Sequence, residues 1–195
     1  MNNHHVLVLL VSAMPFGCAT PSATRPKPEE ARSEQAKTKL VVLKSGEPEE
    51  LSYDAGTAKF LVSSEDTNGA WILLELKEMP GYKTNIHRHN RTDETFYVLD
   101  GVLTIRLLDK VSDYPAGSYV LIPRGTPHAQ GNRGDVPVRL LLMMTPGGFE
   151  RAFRDRIELF KTIKPGDPEL RKARRERQVK GNYDVEFLAD WDLKN

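Results

Sequence analysis

Residues 87–94, HRHNRTDE, place two histidines one residue apart and a glutamate five positions after the second. In a strand, residues two apart share a face, so His87 and His89 project side by side, at a separation from which two imidazoles reach one ion. NRTD reads as a turn, which lets Glu94 open the next strand beside that pair. Two ring nitrogens and a carboxylate oxygen make a mixed donor face suited to Fe, Mn, Ni, Cu or Zn. A His-x-His by itself is weak evidence, because such pairs also occur in ordinary cores and on ordinary surfaces.

A second stretch, GSYVLIPRGTPHAQGN at 117–132, strengthens the first. It carries His128 behind a Pro-Gly turn. The chain has five histidines, and the three outside the extreme N-terminus all lie in these two stretches. Histidines with no site to build are more often scattered.

The glycines and the proline around these histidines are spaced in a recognisable way. Gly81, His87, His89, Glu94 and Gly101, followed by Gly117, Pro123, Gly125, His128 and Asn132, resemble the two sequence motifs of the cupin superfamily. The motifs span 81–132, and the strand pattern extends the resemblance to about 40–148. It implies an all-β jelly-roll barrel and one divalent transition metal, with His87, His89, Glu94 and His128 as its four ligands. The nearest kind within the superfamily is the small, quercetin-dioxygenase-like metal cupin. The resemblance also implies a homodimer built by strand exchange, for which KLVVLK at 39–44 is the candidate segment. The glycines and Pro123 are read as turn positions, where backbone geometry disfavours ordinary side chains.

Short runs rich in apolar and β-branched residues are the elements that position these groups: KLVVLK, AKFLVSS, WILLELK, KTNIHRH, ETFYVL, VLTIRLL, GSYVLIP and VPVRLLLMM. Turn chemistry separates them, including DTNGA, NRTD, SDYPAG, PRGTP and GNRGD. Many short strands without an intervening helical period argue for an antiparallel sandwich or barrel. Strand parity then nominates the pocket wall: Asn85 and Lys83 on the His87 face, Phe96 and Val98 on the Glu94 face, Gln130 on the His128 face. For Phe96 and Val98 an ordinary core role is the stronger reading. Lys83 equally well faces solvent.

Beyond TPGG the period changes, with Phe149, Phe153, Ile157 and Phe160 at helical spacing. A second helix is signposted by Asp167 as cap, Pro168 at its first position and Gly181 beyond its end. Its basic body, RKARRERQVK, reads as a solvated face, with contact to anionic lipid headgroups as the sharper alternative. NYDVEFLADW then alternates briefly, as a final strand packing back on the body. The expected division is a signal peptide over 1–18, a disordered tether over 19–37, the barrel over 38–148 and a C-terminal helical extension with a final strand over 149–195.

VLVLLVSAM at 6–14 has the length of a signal-peptide core and is too short to span a bilayer. Cys18, the one cysteine of the chain, sits where a bacterial lipoprotein signal carries the cysteine that takes the lipid. Pro15 and the lack of Lys or Arg in MNNHH depart from that pattern. Export is expected, to the periplasm or to a membrane through a lipid on Cys18. With 28 Lys and Arg against 27 Asp and Glu, the net charge of +1 gives no reason to expect a nucleic-acid partner.

Two functions compete. One is a mononuclear metalloenzyme, a dioxygenase-like oxidoreductase or a lyase acting on a small oxygenated organic molecule. Acid–base work there falls to Glu94 or to a metal-bound water, since every histidine beyond the leader is already assigned. The other is a non-catalytic, lipid-tethered cupin that binds a small ligand through its metal. A purely structural metal is the weakest reading, because structural sites are usually closed.

Overall fold

The computed structural model describes residues 38–163 and 167–193, so the expectations for the leader, the tether and Cys18 lie outside the described residues. Two antiparallel sheets form a jelly roll. The first is ordered β1 (Leu51–Tyr53), β2 (Gly56–Val62), β3 (Ile72–Glu78), β10 (Val138–Thr145), β5 (Asp93–Asp100) and β8 (Tyr119–Ile122). The second is ordered β11 (Glu186–Ala189), β4 (Ile86–Arg88), β9 (His128–Gly131), β6 (Val102–Leu107) and β7 (Lys110–Pro115).

Period-two alternation turns one face of each long strand inward. β3 buries Ile72, Leu74, Leu76 and Glu78; β10 buries Val138, Leu140, Leu142 and Met144; β5 buries Glu94, Phe96 and Val98. Leu103, Ile105 and Ile122 complete the same core. Burying one such aliphatic side chain is worth roughly 1.5–3 kcal/mol, so the apolar strands carry the stability. Register sets the level of the polar members: Met144 pairs with Glu94 and with Ile72, whereas Val138 pairs with Glu78. The two buried glutamates therefore enter the barrel at opposite ends of the first sheet.

The structure differs from the sequence reading in three places. KLVVLK forms no strand, and Leu40 and Val42 are exposed. Its apolar residues are consecutive rather than alternating, and no neighbouring strand of this chain pairs with them. SDYPAG was expected as a turn, but Ser112–Pro115 belong to β7, paired with β6. β7 is an edge strand, where proline's missing N–H costs no ladder bond. The short β1 falls outside every expected run; it follows the turn at Gly56 back along β2.

Helix α1 (Glu150–Thr162) buries Ala152, Phe153, Ile157 and Leu159. Its Glu150 accepts hydrogen bonds from Ser64 N at 3.0 Å and Gly148 N at 2.9 Å, tying the helix start to the loop after β2. Phe149 lies just before the helix rather than on its face. Helix α2 (Pro168–Gly181) opens on Asp167, whose Oδ1 accepts Glu169 N at 2.9 Å. Gly181 closes the helix, and the left-handed residue after it is Asn182, with φ +47°. Tyr183 Oη donates to the Asp155 carboxylate and Arg177 donates to the Asp155 carbonyl, so α1 steers the chain leaving α2. That chain becomes β11, which pairs antiparallel with β4 and places Phe187 opposite His87. Among the described residues no helix is long and apolar enough to cross a membrane.

Candidate metal centre

His87 comes from β4, His89 from the residue just after it, Glu94 from β5 and His128 from β9. β4 pairs with β9 at His87 opposite His128, which brings the two rings to 4.3 Å between centroids. All four residues are buried, and one potential ligand atom from each lies within 4.8 Å of the others. The turns that carry them are cross-braced. Gly125 N donates to the His89 carbonyl at 2.6 Å. Asp93, just before Glu94, accepts from Arg124 N at 2.8 Å and from its guanidinium at 2.8 and 3.0 Å. The strand bearing Glu94 and the turn leading to His128 are thus fastened to each other.

Each imidazole is oriented through its outer nitrogen. His87 Nδ1 donates to Asn85 O at 2.8 Å, His128 Nδ1 to Thr126 O at 3.0 Å, and His89 Nδ1 to Asp184 O. A carbonyl only accepts, so each Nδ1 holds the proton and each Nε2 faces inward. In neutral rings those three inward nitrogens are lone pairs. They converge on a carboxylate: Glu94 Oε2 is 2.7 Å from His128 Nε2 and 3.6 Å from His89 Nε2. His89 Nε2 is buried with no hydrogen-bond partner. Acceptors that face one another without a donor repel, and a cation among them removes the repulsion. The residues therefore fit a divalent transition ion, with three imidazoles and a carboxylate as donors.

The proton energetics agree. Burial raises the Glu94 pKa, but the His128 hydrogen bond and the three imidazole charges outweigh it and hold the carboxyl down at about 2. Burial lowers His87, the charge of His128 adds to that, and the result is about 4. His87 is thus neutral and ligand-ready at neutral pH. Burial also opposes protonation of His128, yet the contact with Glu94 overrides it and raises the pKa. Without a metal, a proton on His128 takes the cation's place.

Residues 75–144 match the Cupin domain family model, Cupin_2. The chain carries a cupin domain. It is 33% identical over 66 residues to the uncharacterized protein MJ1618 of Methanocaldococcus jannaschii, a match covering 34% of this chain and 53% of that protein. It is 26% identical over 113 residues to quercetin 2,3-dioxygenase of Bacillus subtilis, covering 58% of this chain and 33% of that enzyme. The matches thus span about half and a third of these two relatives' lengths. The structure of KdgF from Halomonas sp. superposes with a TM-score of 0.50 at 15% identity, covering 58% of this chain and 99% of that one, a likeness of fold.

Around the cupin ligands, the wall residues nominated by parity separate. Gln130 is buried, and its Nε2 donates to Glu78 Oε1 at 3.0 Å. Phe96 and Val98 are fully buried in the hydrophobic core. The Asn85 side chain is exposed, contrary to the pocket role expected of it. Parity fails there because β4 begins only at Ile86; what Asn85 offers the site is its carbonyl, to His87. Lys83 Nζ donates to the Trp191 carbonyl.

Three participants were not singled out from sequence. Glu78 has no solvent exposure and leaves Oε2 without a hydrogen-bond partner. Burial pushes its carboxyl up to about 7, against the hydrogen bond from Gln130 and the charge of Arg156. Asp184 orients His89 through its carbonyl. Its carboxylate accepts from Arg91 N at 2.9 Å, Asn90 N at 3.1 Å and Thr92 Oγ1 at 2.6 Å, which clamps the turn between His89 and Glu94. Phe149 stands edge-on to the His89 ring at 4.7 Å. Alternation along ILLELKE would have found Glu78; no local pattern announces the other two.

Proposed function

We propose that the protein is a mononuclear metalloenzyme acting on a small oxygenated organic molecule, as a dioxygenase-like oxidoreductase or a lyase. The observation that carries this reading is the inward convergence of three Nε2 atoms and Glu94, with His89 Nε2 unpartnered in the barrel interior. The distant likeness to quercetin 2,3-dioxygenase supports an oxidative reaction. A bound divalent ion there supplies Lewis acidity toward a substrate oxygen. The chain's own contribution is to hold three imidazoles in one tautomer, to keep the ligand set out of water, and to keep Glu94 ionised for metal or proton. Gln130, held by Glu78, offers an amide one strand step beyond His128. The test is elemental analysis of purified wild-type and His128→Ala protein, then an O₂-uptake screen of the wild type against phenolic and dicarbonyl compounds. One metal per chain, lost in the variant with the barrel still folded, together with O₂ uptake on at least one compound, is expected. Stoichiometric metal without turnover would favour the non-catalytic, ligand-holding reading instead.

Export and lipid attachment through Cys18 belong to the same proposal, supported by the apolar run at 6–14 and the cysteine that follows it. The full chain is expected to fractionate with membranes and Cys18→Ser to be released or left unprocessed. Homodimer formation is supported by the exposed apolar side chains of Leu40, Val42 and Leu43. A monomer by light scattering at micromolar concentration would reject it.

A further inference from the structure

A cleft of about 230 Å³ adjoins the metal centre on its His89 side, lined by residues that include Arg91, Phe149, Arg151, Asn182, Tyr183 and Asp184. Two of its walls are also walls of the metal centre. The Phe149 ring meets His89 edge-on, and the Asp184 carbonyl holds His89 Nδ1. The cleft and the ligand set therefore share a partition only one residue thick.

The rim is cationic. The Arg91 side chain is 71% exposed, and its Nε lies 3.6 Å from Asp184 Oδ1. Arg151 is exposed, donates from Nε to the Gly148 carbonyl at 3.3 Å, and has no salt-bridge partner among the described residues. The one carboxylate lining the cleft, that of Asp184, is occupied by donors from residues 90–92. Neighbouring Glu150 turns away toward Ser64 and Gly148 N. Two guanidinium groups thus face one satisfied carboxylate, over a floor of Phe149 and the Tyr183 ring. A planar guanidinium fork suits a carboxylate, the aromatic floor suits an apolar body, and the volume lies below the roughly 300–1,000 Å³ of drug-sized sites.

We infer that this cleft anchors the substrate and that the substrate is a small organic carboxylate, its anionic end on Arg91 and Arg151 and its body along Phe149 toward His89. The inference rests on the metal-centre reading, and it names the class of molecule that reading leaves open. A charge-assisted hydrogen bond to such an anion is worth about 1.5–3 kcal/mol, which corresponds to roughly ten- to hundredfold in affinity.

The test uses the full chain and benzoate, with neutral benzamide as its isostere. In chelator-stripped protein, calorimetry should show saturable benzoate binding, with benzamide weaker by about tenfold or more. The Arg91→Gln/Arg151→Gln double variant should weaken benzoate by a similar factor; both side chains are exposed, so the barrel is unaffected. Resonances of Phe149 and Tyr183 should shift on titration. In Co(II)-loaded protein, benzoate should perturb the visible spectrum. Equal binding of benzamide, unchanged binding by the double variant, or a silent Co(II) spectrum would overturn the inference. A chain that takes up no Co(II) at all would sink the metal reading and with it the substrate role, while the isotherms would still show whether the cleft binds carboxylates.

Discussion

His89 Nδ1 donates to the main-chain oxygen of Asp184, 95 residues further along the chain. The ring orientation of one ligand in the central motif is therefore set by the segment leading into the last strand. The Asp184 side chain adds the clamp on residues 90–92, so one residue fixes both the imidazole and the turn that spaces it from Glu94.

Asp184→Ala should therefore weaken metal binding without unfolding the barrel. Loss of an outer partner of a metal ligand typically costs 10–100-fold in affinity. Competition with a chromophoric chelator reads this directly. Unchanged affinity would show that the turn between His89 and Glu94 holds its shape without the clamp.

Glu78 gives a pH-dependent prediction in metal-free protein. Its carboxyl rises from an ordinary 4.5 to about 7 in the folded state. Between those values the folded chain keeps a proton that the unfolded chain gives up. The group's stabilising contribution is thus fully present below pH 4.5 and lost as pH rises through 7. The swing is about 3 kcal/mol at most. Glu78→Gln keeps the shape, stays neutral and retains an acceptor for Gln130. Thermal melts should show the variant more stable than wild type at pH 8 and nearly equal to it at pH 4. A gap of the same size at both pH values would refute the assignment.

Two motif glycines should respond unequally to alanine. Gly101 has φ +75°, and a Cβ there would meet the Pro137 carbonyl oxygen at 2.7 Å. Gly117 has φ +86° with nothing within 4 Å of such a Cβ. The left-handed backbone alone costs an alanine about 1–2 kcal/mol, and overpacking adds about 1–3 kcal/mol. Gly101→Ala should be the more destabilising by at least about 1 kcal/mol in urea melts. Equal losses would mean that the β10 approach relaxes freely.

How much was legible in the sequence follows the range of each contact. His87, His89, Glu94 and His128 announce themselves because two-residue parity and a tight turn bring them together within adjoining strands. Gln130 follows from the same parity. Asn85 misleads because parity holds only inside a strand, and β4 begins at Ile86. β7 was hidden because Ser, Asp and Pro are turn formers that an edge strand also tolerates. Asp184 was illegible because the atom it presents to His89 is a main-chain oxygen, which every residue type possesses. Phe149 sits on the helical period of α1, so its role beside His89 is masked by the pattern that identifies the helix.

Pairing β11 with β4 also fixes when the centre is completed during synthesis. A chain emerging N-terminus first presents all four ligands and nearly all of the barrel strands before residue 184 exists, and domains fold as they emerge. Until translation is nearly finished, His89 has no carbonyl to hold its proton-bearing nitrogen. The metal centre is thereby a reporter of full-length translation, since a prematurely terminated chain can assemble its barrel core yet holds a looser ligand set.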